Sequence, residues 1–397
     1  MQARGIGILA DRVQERFRFF GSGPIWVTGR YVARKLKSDR VLFTATLLLV
    51  CASIVMVYSA SAVVALERFD QPYFFLTKQA LWTVLGLAVL AIAMRIDYRT
   101  YRNDTFIWGT LAVVGLMLVA VLFSAPVNGT RRWFNLGGLG IQPSELAKIA
   151  AVFFTALILE RRMHRIDELS YSLLPIAIVI GAMFGLILLE PDAGTAIALL
   201  LIIGLMVFAA GLHYRYLVGA ALVALPALYI VLVSAPYRQR RLMAFWDPWA
   251  DPLGDGFQII QAQIAVGTGH VFGKGLMGGV QKLFYLPEPH TDFIYAVISE
   301  ELGLIGATAV LICFCVIAWR GVRIALRAED TFGSLVALGL TTMVAVQALV
   351  NISVVLGLLP TKGIPLPLVS AGGSSLLINL LGMGVLLNIS QHELSDA

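Results

Sequence analysis

One aspartate stands where the chain leaves a long loop and enters a helix. It is Asp292, in the segment 286–293, which reads Leu-Pro-Glu-Pro-His-Thr-Asp-Phe. Proline ends the preceding structure and Thr291 is a predicted N-cap, so Asp292 is expected in the first helical turn. A carboxylate there could complement the helix dipole, or it could act as an acid or base on a substrate at the membrane surface. The spacing alone leaves both readings open.

A second cluster places an acid and a base three residues apart. The segment 142–148 reads Gln-Pro-Ser-Glu-Leu-Ala-Lys, and its proline suits the first position of a helix. Glu145 and Lys148 then share a helix face. Their pairing could be a structural staple, or part of a functional site because ionisable groups inside a membrane are costly. Just upstream, Arg132 and Trp133 could be interfacial anchors, while arginine is also the residue that grips pyrophosphate bidentately.

Three smaller features accompany these clusters. Glu190 and Asp192 fall in a tight turn between two apolar segments, where their carboxylates could cap the following helix. Glu300 and Glu301 fall at the edge of an apolar stretch and are expected either at the interface or turned into a cavity. The segment 366–375 is rich in small residues, which suits close helix packing, and we interpret it as mainly structural.

The elements that must position these residues are membrane-spanning helices. The chain is 58% hydrophobic and only 14% charged, with a mean hydropathy of +0.83. Its long apolar runs each reach about the 20 residues that cross ~30 Å of hydrocarbon as a helix. The alternation that a membrane barrel requires is absent. The fold class is therefore an all-α polytopic membrane protein with about ten spans, predicted at 41–66, 79–94, 105–130, 143–160, 169–189, 193–212, 216–237, 292–319, 331–361 and 363–391.

Positive charge predicts the orientation of this bundle. Nine Lys and Arg residues precede residue 41, and more follow in alternate loops, whereas the opposite loops hold few. Cytoplasmic loops carry the excess of Lys and Arg, so both termini are predicted to be cytoplasmic. The organisation is then a cytoplasmic tail at 1–40, a membrane domain at 41–391 and a short cytoplasmic C-terminus at 392–397. The net charge of +6 mainly reflects this topology, and no basic soluble face suggests nucleic-acid binding.

The large loop 236–290, between spans seven and eight, falls on the extracytoplasmic side. Loops this long are usually functional or disordered, and this one is too apolar and aromatic to be disordered. It is either a structured cap over the bundle or an active-site loop, with a predicted surface helix at 257–266. The three cysteines all lie in predicted spans, which favours neither disulfides nor a zinc site.

Motifs along nearly the whole chain resemble the SEDS family (shape, elongation, division and sporulation), and most closely its cell-division member. The matching segments are Arg-Trp at 132–133, Gln-Pro-Ser-Glu-Leu-Ala-Lys at 142–148, Pro-Asp-Ala-Gly-Thr at 191–195, Asp-Pro-Leu-Gly at 251–254, Leu-Pro-Glu-Pro-His-Thr-Asp-Phe at 286–293, Glu-Glu-Leu-Gly at 300–303 and Pro-Leu-Pro-Leu-Val-Ser at 365–370.

The resemblance implies a peptidoglycan glycosyltransferase that polymerises lipid II at the division septum of the bacterial inner membrane. It assigns the catalytic aspartate to Asp292 and substrate-binding roles to Arg132, Trp133, Glu145 and Lys148. The implied partners are a cognate class B penicillin-binding protein (an FtsI-like septal transpeptidase) and divisome regulators of the FtsQ, FtsL and FtsB kind.

The implied chemistry is an inverting transfer. Asp292 would take the proton of the attacking hydroxyl, while Arg132 and Lys148 stabilise the pyrophosphate and Glu145 holds Lys148. A divalent cation (Mg²⁺ or Mn²⁺) could assist, although the sequence shows no convincing set of metal ligands. Two alternatives are a lipid II flippase and a non-catalytic divisome scaffold. The flippase is disfavoured because we find no obvious inverted repeat with interrupted spans.

Overall fold

The computed structural model describes residues 38–126, 130–136, 139–166, 168–216 and 236–392, together with residues 218, 219, 222, 226 and 229. The helices are α1 (Arg40–Phe69), α2 (Phe74–Ala93), α3 (Asp104–Val121), α4 (Pro143–Arg162), α5 (Leu174–Leu189), α6 (Ala193–Ala209), α7 (Pro236–Trp246), α8 (Phe257–Thr268), α9 (Ile294–Arg327), α10 (Thr331–Val355) and α11 (Gly373–Ser390). A single helical turn, Leu169–Ser172, precedes α5, and 3₁₀ turns occupy Tyr98–Arg102, Met163–Arg165 and Pro248–Ala250.

The prediction of a helical, polytopic membrane protein is confirmed. In the described part of the chain, six helices are long and apolar enough to cross a membrane, namely α1, α2, α3, α9, α10 and α11. The shorter α5 and α6 are also apolar. Most of the predicted seventh span, 216–237, lies outside the described residues, as do residues 1–37 of the predicted tail and residues 393–397.

Three helices form the centre of the bundle. Almost every side chain from residue 143 to residue 159 of α4 is buried, and α10 and α11 are mostly buried as well. Small residues bring α11 close to α2: a Cβ on Gly384 would lie 2.7 Å from the carbonyl oxygen of Leu90. Within the small-residue segment 366–375 Gly373 packs against the same helix, since its Cβ would lie 2.0 Å from Nε1 of Trp82. The acid and base of α4 therefore lie in the interior of the molecule.

The helix α9 is broken, which the sequence did not lead us to expect. Gly303 has φ 66° and ψ −165°, far from helical values. Residues 304–327 alone are long enough to cross about 30 Å of hydrocarbon. Residues 294–302 therefore form a separate half-helix at the end of the bundle where the large loop lies. We call that end the outer end.

The large loop is folded onto the outer end. The predicted surface helix is confirmed as a helix, α8, which begins as predicted and ends two residues later. It packs against α9, and its buried residues are Ile259, Ile260, Ala262 and Ala265. At the same end the short antiparallel pair β1 (Phe134–Leu136) and β2 (Leu139–Ile141) leads directly into α4.

Candidate active site

Asp292 lies in a turn that precedes α9. The helix begins at Ile294 with Phe293 at the N-cap position, so the expectation that Asp292 is in the first helical turn is wrong. Thr291 does not cap the helix either, because its hydroxyl donates to the carbonyl of Glu288 at 3.3 Å. Asp292 therefore makes no capping hydrogen bond to α9, although its charge still lies at the positive end of the helix dipole.

The backbone of Asp292 is held by Asn351 of α10. The Asn351 amide donates to the carbonyl oxygen of Asp292 and to that of Ile364, both at 2.8 Å. This buried amide joins the turn to the segment that leads into α11. No specific sequence signal predicted this role, since a lone Asn within an apolar run is compatible with many roles.

The two residues before Asp292 are held by the segment 366–371. The hydroxyl of Ser370 donates to the carbonyl of Thr291 at 2.6 Å and accepts from the amide of Leu366 at 2.8 Å. The amide of Ala371 donates to the carbonyl of His290 at 2.9 Å. The small-residue segment thus does more than pack, because it fixes the carbonyls of His290 and Thr291.

The carboxylate of Asp292 is partly exposed and lies beside Gly363, where a Cβ would approach Oδ2 to 2.8 Å. Among the described residues, none donates a hydrogen bond to this carboxylate. Its pKa is raised to about 7, first by loss of hydration and then by the negative charges of Glu288 and Asp192, against the opposing positive charges of Arg241 and Arg132. A carboxylate that titrates near neutral pH and has free lone pairs is suited to act as a general base.

Arg132 lies within electrostatic range of Asp292 and contacts the turn after α5. Its Nε donates to the carbonyl of Glu190 at 2.9 Å, and its Nη2 donates to that of Pro191. These bonds fix the guanidinium within electrostatic range of the carboxylate whose pKa it lowers. The structure therefore brings Arg132 and Asp292 into one site.

Trp133 lies next to this arginine at the start of the β1–β2 pair. Its ring covers Gly140 of the second strand, where a Cβ would lie 3.2 Å from Cε3. The indole is partly exposed. Its position fits both an interfacial anchor and one wall of the site.

Glu145 and Lys148 form the predicted ion pair, with Lys148 Nζ 2.8 Å from Glu145 Oε1 and both side chains buried. The pair is linked to the outer end through Gln142, whose amide donates to Asp192 Oδ2 at 3.0 Å. Asp192 in turn accepts from the amide of Thr195 at 3.2 Å and so caps α6, as expected. The structure does not bring Lys148 to the exposed surface, so it is not in the open part of the site.

Glu190 does not cap a helix, although the sequence allowed it to. The residue is fully buried, and neither carboxylate oxygen has a hydrogen-bond partner among the described residues. Burial raises its pKa to about 8, with a further contribution from Asp192 and an opposing one from Arg132. The sequence places this acid in a turn between two apolar segments, but its complete burial could not be inferred from the spacing.

No cluster of three or more His, Cys, Asp or Glu side chains within the described ranges could hold a metal ion. The carboxylates near Asp292 are instead separated: Asp192 caps a helix, Glu190 is buried without a hydrogen-bond partner among the described residues, and Asp292 lies in a partly exposed turn. A cation would need the oxygens of a bound phosphate to complete its ligands here.

Comparisons with known proteins agree with this architecture. Residues 39–395 match the cell cycle protein family FtsW/RodA/SpoVE. The chain is 43% identical over 354 residues to the probable peptidoglycan glycosyltransferase FtsW of Geobacter sulfurreducens, a match that covers 89% of this chain and 95% of the relative. It is also 43% identical over 365 residues to the stage V sporulation protein E of Bacillus subtilis, with coverages of 91% and 99%.

Solved structures show the same fold. A chain from a peptidoglycan synthase complex, studied for the structural coordination of polymerization and crosslinking, superposes with a TM-score of 0.73 at 30% identity and covers 89% of this chain and 97% of its own. The rod shape determining protein RodA of Thermus thermophilus gives a TM-score of 0.67 at 27% identity, with coverages of 94% and 100%. The chain therefore belongs to the FtsW/RodA/SpoVE family of cell cycle proteins, the SEDS family that its motifs indicated.

Proposed function

We propose that this chain is a peptidoglycan glycosyltransferase that polymerises lipid II at the division septum of the bacterial inner membrane. The observation that carries the proposal is Asp292, a carboxylate with a pKa of about 7 that accepts no hydrogen bond from the described residues and lies in a tightly held turn at the outer end. The relatives named peptidoglycan glycosyltransferase support the reaction class.

The proposed reaction is a single displacement. The 4-hydroxyl oxygen of the acceptor sugar forms a bond to the anomeric carbon of the donor, and the bond from that carbon to the pyrophosphate oxygen breaks. Asp292 takes the hydroxyl proton, and undecaprenyl pyrophosphate leaves. One base and attack opposite the leaving group give inversion without a carboxylate nucleophile.

The other site residues serve the pyrophosphate in this scheme. Arg132 lies within electrostatic range of Asp292, and its positive charge would stabilise the leaving group. Trp133 would form a wall for the substrate. The Glu145–Lys148 pair is buried inside α4 and does not reach the open part of the site in the described conformation. It would act on the pyrophosphate through its electrostatic field and by keeping α4 rigid. A divalent cation (Mg²⁺ or Mn²⁺) bound to the pyrophosphate would add to the same stabilisation.

The proposed setting is a complex with a class B penicillin-binding protein. The similar chain from a peptidoglycan synthase complex supports this kind of partner. Regulators of the FtsQ, FtsL and FtsB kind would act on that complex, and both termini of this chain would be cytoplasmic.

The test uses the purified chain with its cognate transpeptidase in liposomes supplied with lipid II. Wild type is expected to give glycan polymer on a gel, and Asp292→Asn, matched for folding by size-exclusion chromatography, is expected to give at least ~10²-fold less. Polymer from both proteins would remove Asp292 as the base. Translocation of lipid II without polymer would favour the flippase, and neither activity, with the transpeptidase still recruited, would favour the scaffold.

A further inference from the structure

The break in α9 is filled by the large loop. At Gly303 the helical hydrogen bonds are interrupted, and the backbone of residues 270–275 replaces them. The amides of Lys274 and Gly275 donate to the carbonyls of residues 300 and 301 at 3.0 and 2.9 Å. Beyond the break, the amides of residues 304 and 305 donate to the carbonyls of His270 and Val271 at 2.9 and 3.3 Å. The loop backbone thus supplies the hydrogen-bond partners that a continuous helix would have had at this point.

This insertion requires glycine on both sides. A Cβ on Gly303 would lie 2.3 Å from the amide nitrogen of Gly273, and one on Gly273 would lie 2.1 Å from the carbonyl oxygen of Glu301. Gly269 is equally confined, since its Cβ would lie 1.9 Å from the carbonyl oxygen of Ser299. Contacts this close to backbone atoms cannot be relieved by moving a side chain.

Glu300 holds the loop by its side chain as well. The carboxylate is fully buried, and its Oε1 lies 2.7 Å from Lys274 Nζ. The same oxygen accepts from the amide of Val280 at 2.9 Å, and Oε2 accepts from that of Gln281 at 3.1 Å. One buried acid therefore joins two parts of the loop.

Glu301 also binds the loop by its side chain, through a more deeply buried ion pair. Its Oε1 lies 2.5 Å from Lys282 Nζ, and Oε2 accepts from the amide of Met277 at 3.1 Å. The hydroxyl of Ser59 on α1 donates to the same carboxylate, with 2.6 Å to Oε2. Both Glu301 and Lys282 are buried, so removing either charge would leave the other without its partner in a low-dielectric interior.

The loop contacts of Glu300 and Glu301 lie at one end of the half-helix 294–302, and Asp292 lies just before the other end. Every residue from 294 to 301 is buried, so this half-helix is a rigid connection between the two. A displacement at the break would move Asp292 relative to Asn351 and Ser370, which hold its turn from other elements.

We propose that Glu300 and Glu301 are positioning residues for glycosyl transfer. They hold the loop segment 270–282 in the break of α9 and thereby fix the half-helix that carries Asp292. The inference rests on the proposed role of Asp292. Misplacing a catalytic group by about 1 Å can cost ~10²-fold in rate, so the predicted loss falls on kcat, whereas KM for lipid II changes little.

The test compares Glu301→Gln and Glu300→Gln with wild type in the full-length complex. Hydrogen exchange of peptides from 270–285 is measured together with kcat and KM for lipid II. Glutamine keeps the size of the side chain but removes the charge and turns an NH₂ group toward amide donors. We expect exchange in 274–282 to become at least ~10-fold faster and kcat to fall ~10-fold or more. Glu67→Gln, at an exposed position at the end of α1, is the matched control.

Lys274 supplies a second pair of variants that do not threaten folding, because its side chain is partly exposed. Lys274→Arg should keep both the exchange protection and kcat, whereas Lys274→Met should lose part of each. Unchanged exchange in both Glu variants, or faster exchange with wild-type kcat, would overturn the proposal. If a Glu variant fails to fold, the two Lys274 variants decide the outcome. Equal exchange rates and equal kcat values for Lys274→Arg and Lys274→Met would then overturn the proposal. Wild-type activity in Asp292→Asn would instead remove Asp292 as the base, the assignment on which this inference rests.

Discussion

At the scale of single residues, the site separates a fixed backbone from a free carboxylate. Asn351 and Ser370 hold the carbonyls of Asp292 and Thr291. No described residue donates to the carboxylate itself, and burial raises its pKa to about 7. An acid arranged in this way is positioned without being neutralised by a partner, which is what a general base requires.

Ser370→Ala tests the fixation of the turn. The substitution removes the hydroxyl between the carbonyl of Thr291 and the amide of Leu366. Leaving such buried groups unpaired costs about 1–3 kcal/mol, and the released turn should lower kcat for lipid II polymerisation by ~10-fold. Ser353→Ala, on α10, is the control and should keep wild-type kcat. Equal rates for the two variants would mean that this hydroxyl does not position the turn.

Glu190→Gln tests the buried acid after α5. Its folded pKa of about 8 lies above the unfolded value of ~4.3. Between these values the folded state binds the extra proton, so the acid's contribution to stability is lost as pH rises toward 8. The apparent Tm of Glu190→Gln should therefore fall less between pH 6 and pH 8 than that of wild type. Parallel curves would show that Glu190 ionises normally in the folded protein.

At the scale of elements, the outer end consists of short irregular segments rather than continuous helices. Three parts of it depend on backbone hydrogen bonds outside regular helix: the turn at 290–292, the half-helix 294–302 and the inserted loop segment 270–275. Such irregular backbone is tolerated at membrane depth only where protein or water satisfies its polar groups. Here the loop supplies those bonds, which explains why it is structured despite its length.

Gly303→Ala tests the break. The residue has φ 66°, and its Cβ would lie 2.3 Å from a backbone nitrogen. The left-handed conformation alone costs about 1–2 kcal/mol for alanine, and the steric overlap adds to it. We expect a clear fall in the apparent Tm in detergent. Gly115→Ala in α3 is the control, since its Cβ would meet no atom within 4 Å. If both variants keep the wild-type Tm, the inserted loop is not confined as described.

The sequence predicted the helices well and the interruptions poorly. Uncharged runs locate spans because hydrocarbon demands about 20 apolar residues in a row, and the acid–base spacing of Glu145 and Lys148 correctly predicted their ion pair. The break at Gly303 escaped detection because glycine is common in membrane helices. The lysine partners of Glu300 and Glu301 lie 26 and 19 residues upstream, a pairing that no local pattern specifies.

At the scale of the whole molecule, the suspected residues gather at one end. Arg132, Asp192 and Asp292 interact electrostatically although they come from distant parts of the sequence, and Glu190 joins them through Arg132. The charge pattern predicts that this end is extracytoplasmic. A polymerase acting on a lipid-linked substrate at the outer surface needs its polar groups there, whereas a transporter would also need a path to the other side.

Cysteine labelling in intact cells tests this orientation. After replacement of Cys51, Cys313 and Cys315, a membrane-impermeant maleimide should label Leu253→Cys, whose site is 88% exposed in the large loop. Arg165→Cys, exposed at the opposite end, should react only after permeabilisation. The reverse pattern would invert the topology and exclude an extracytoplasmic reaction.

The most direct test of Asp292 as the general base is the pH dependence of kcat/KM for lipid II polymerisation, measured from pH 5.5 to 8.5 in the complex with the transpeptidase. The base acts when deprotonated, so wild-type kcat/KM should rise with pH and level off above an apparent pKa of about 7. The residual rate of Asp292→Asn should lack this rise. A wild-type profile that is flat between pH 6 and pH 8, or a rise that persists in Asp292→Asn, would contradict the account.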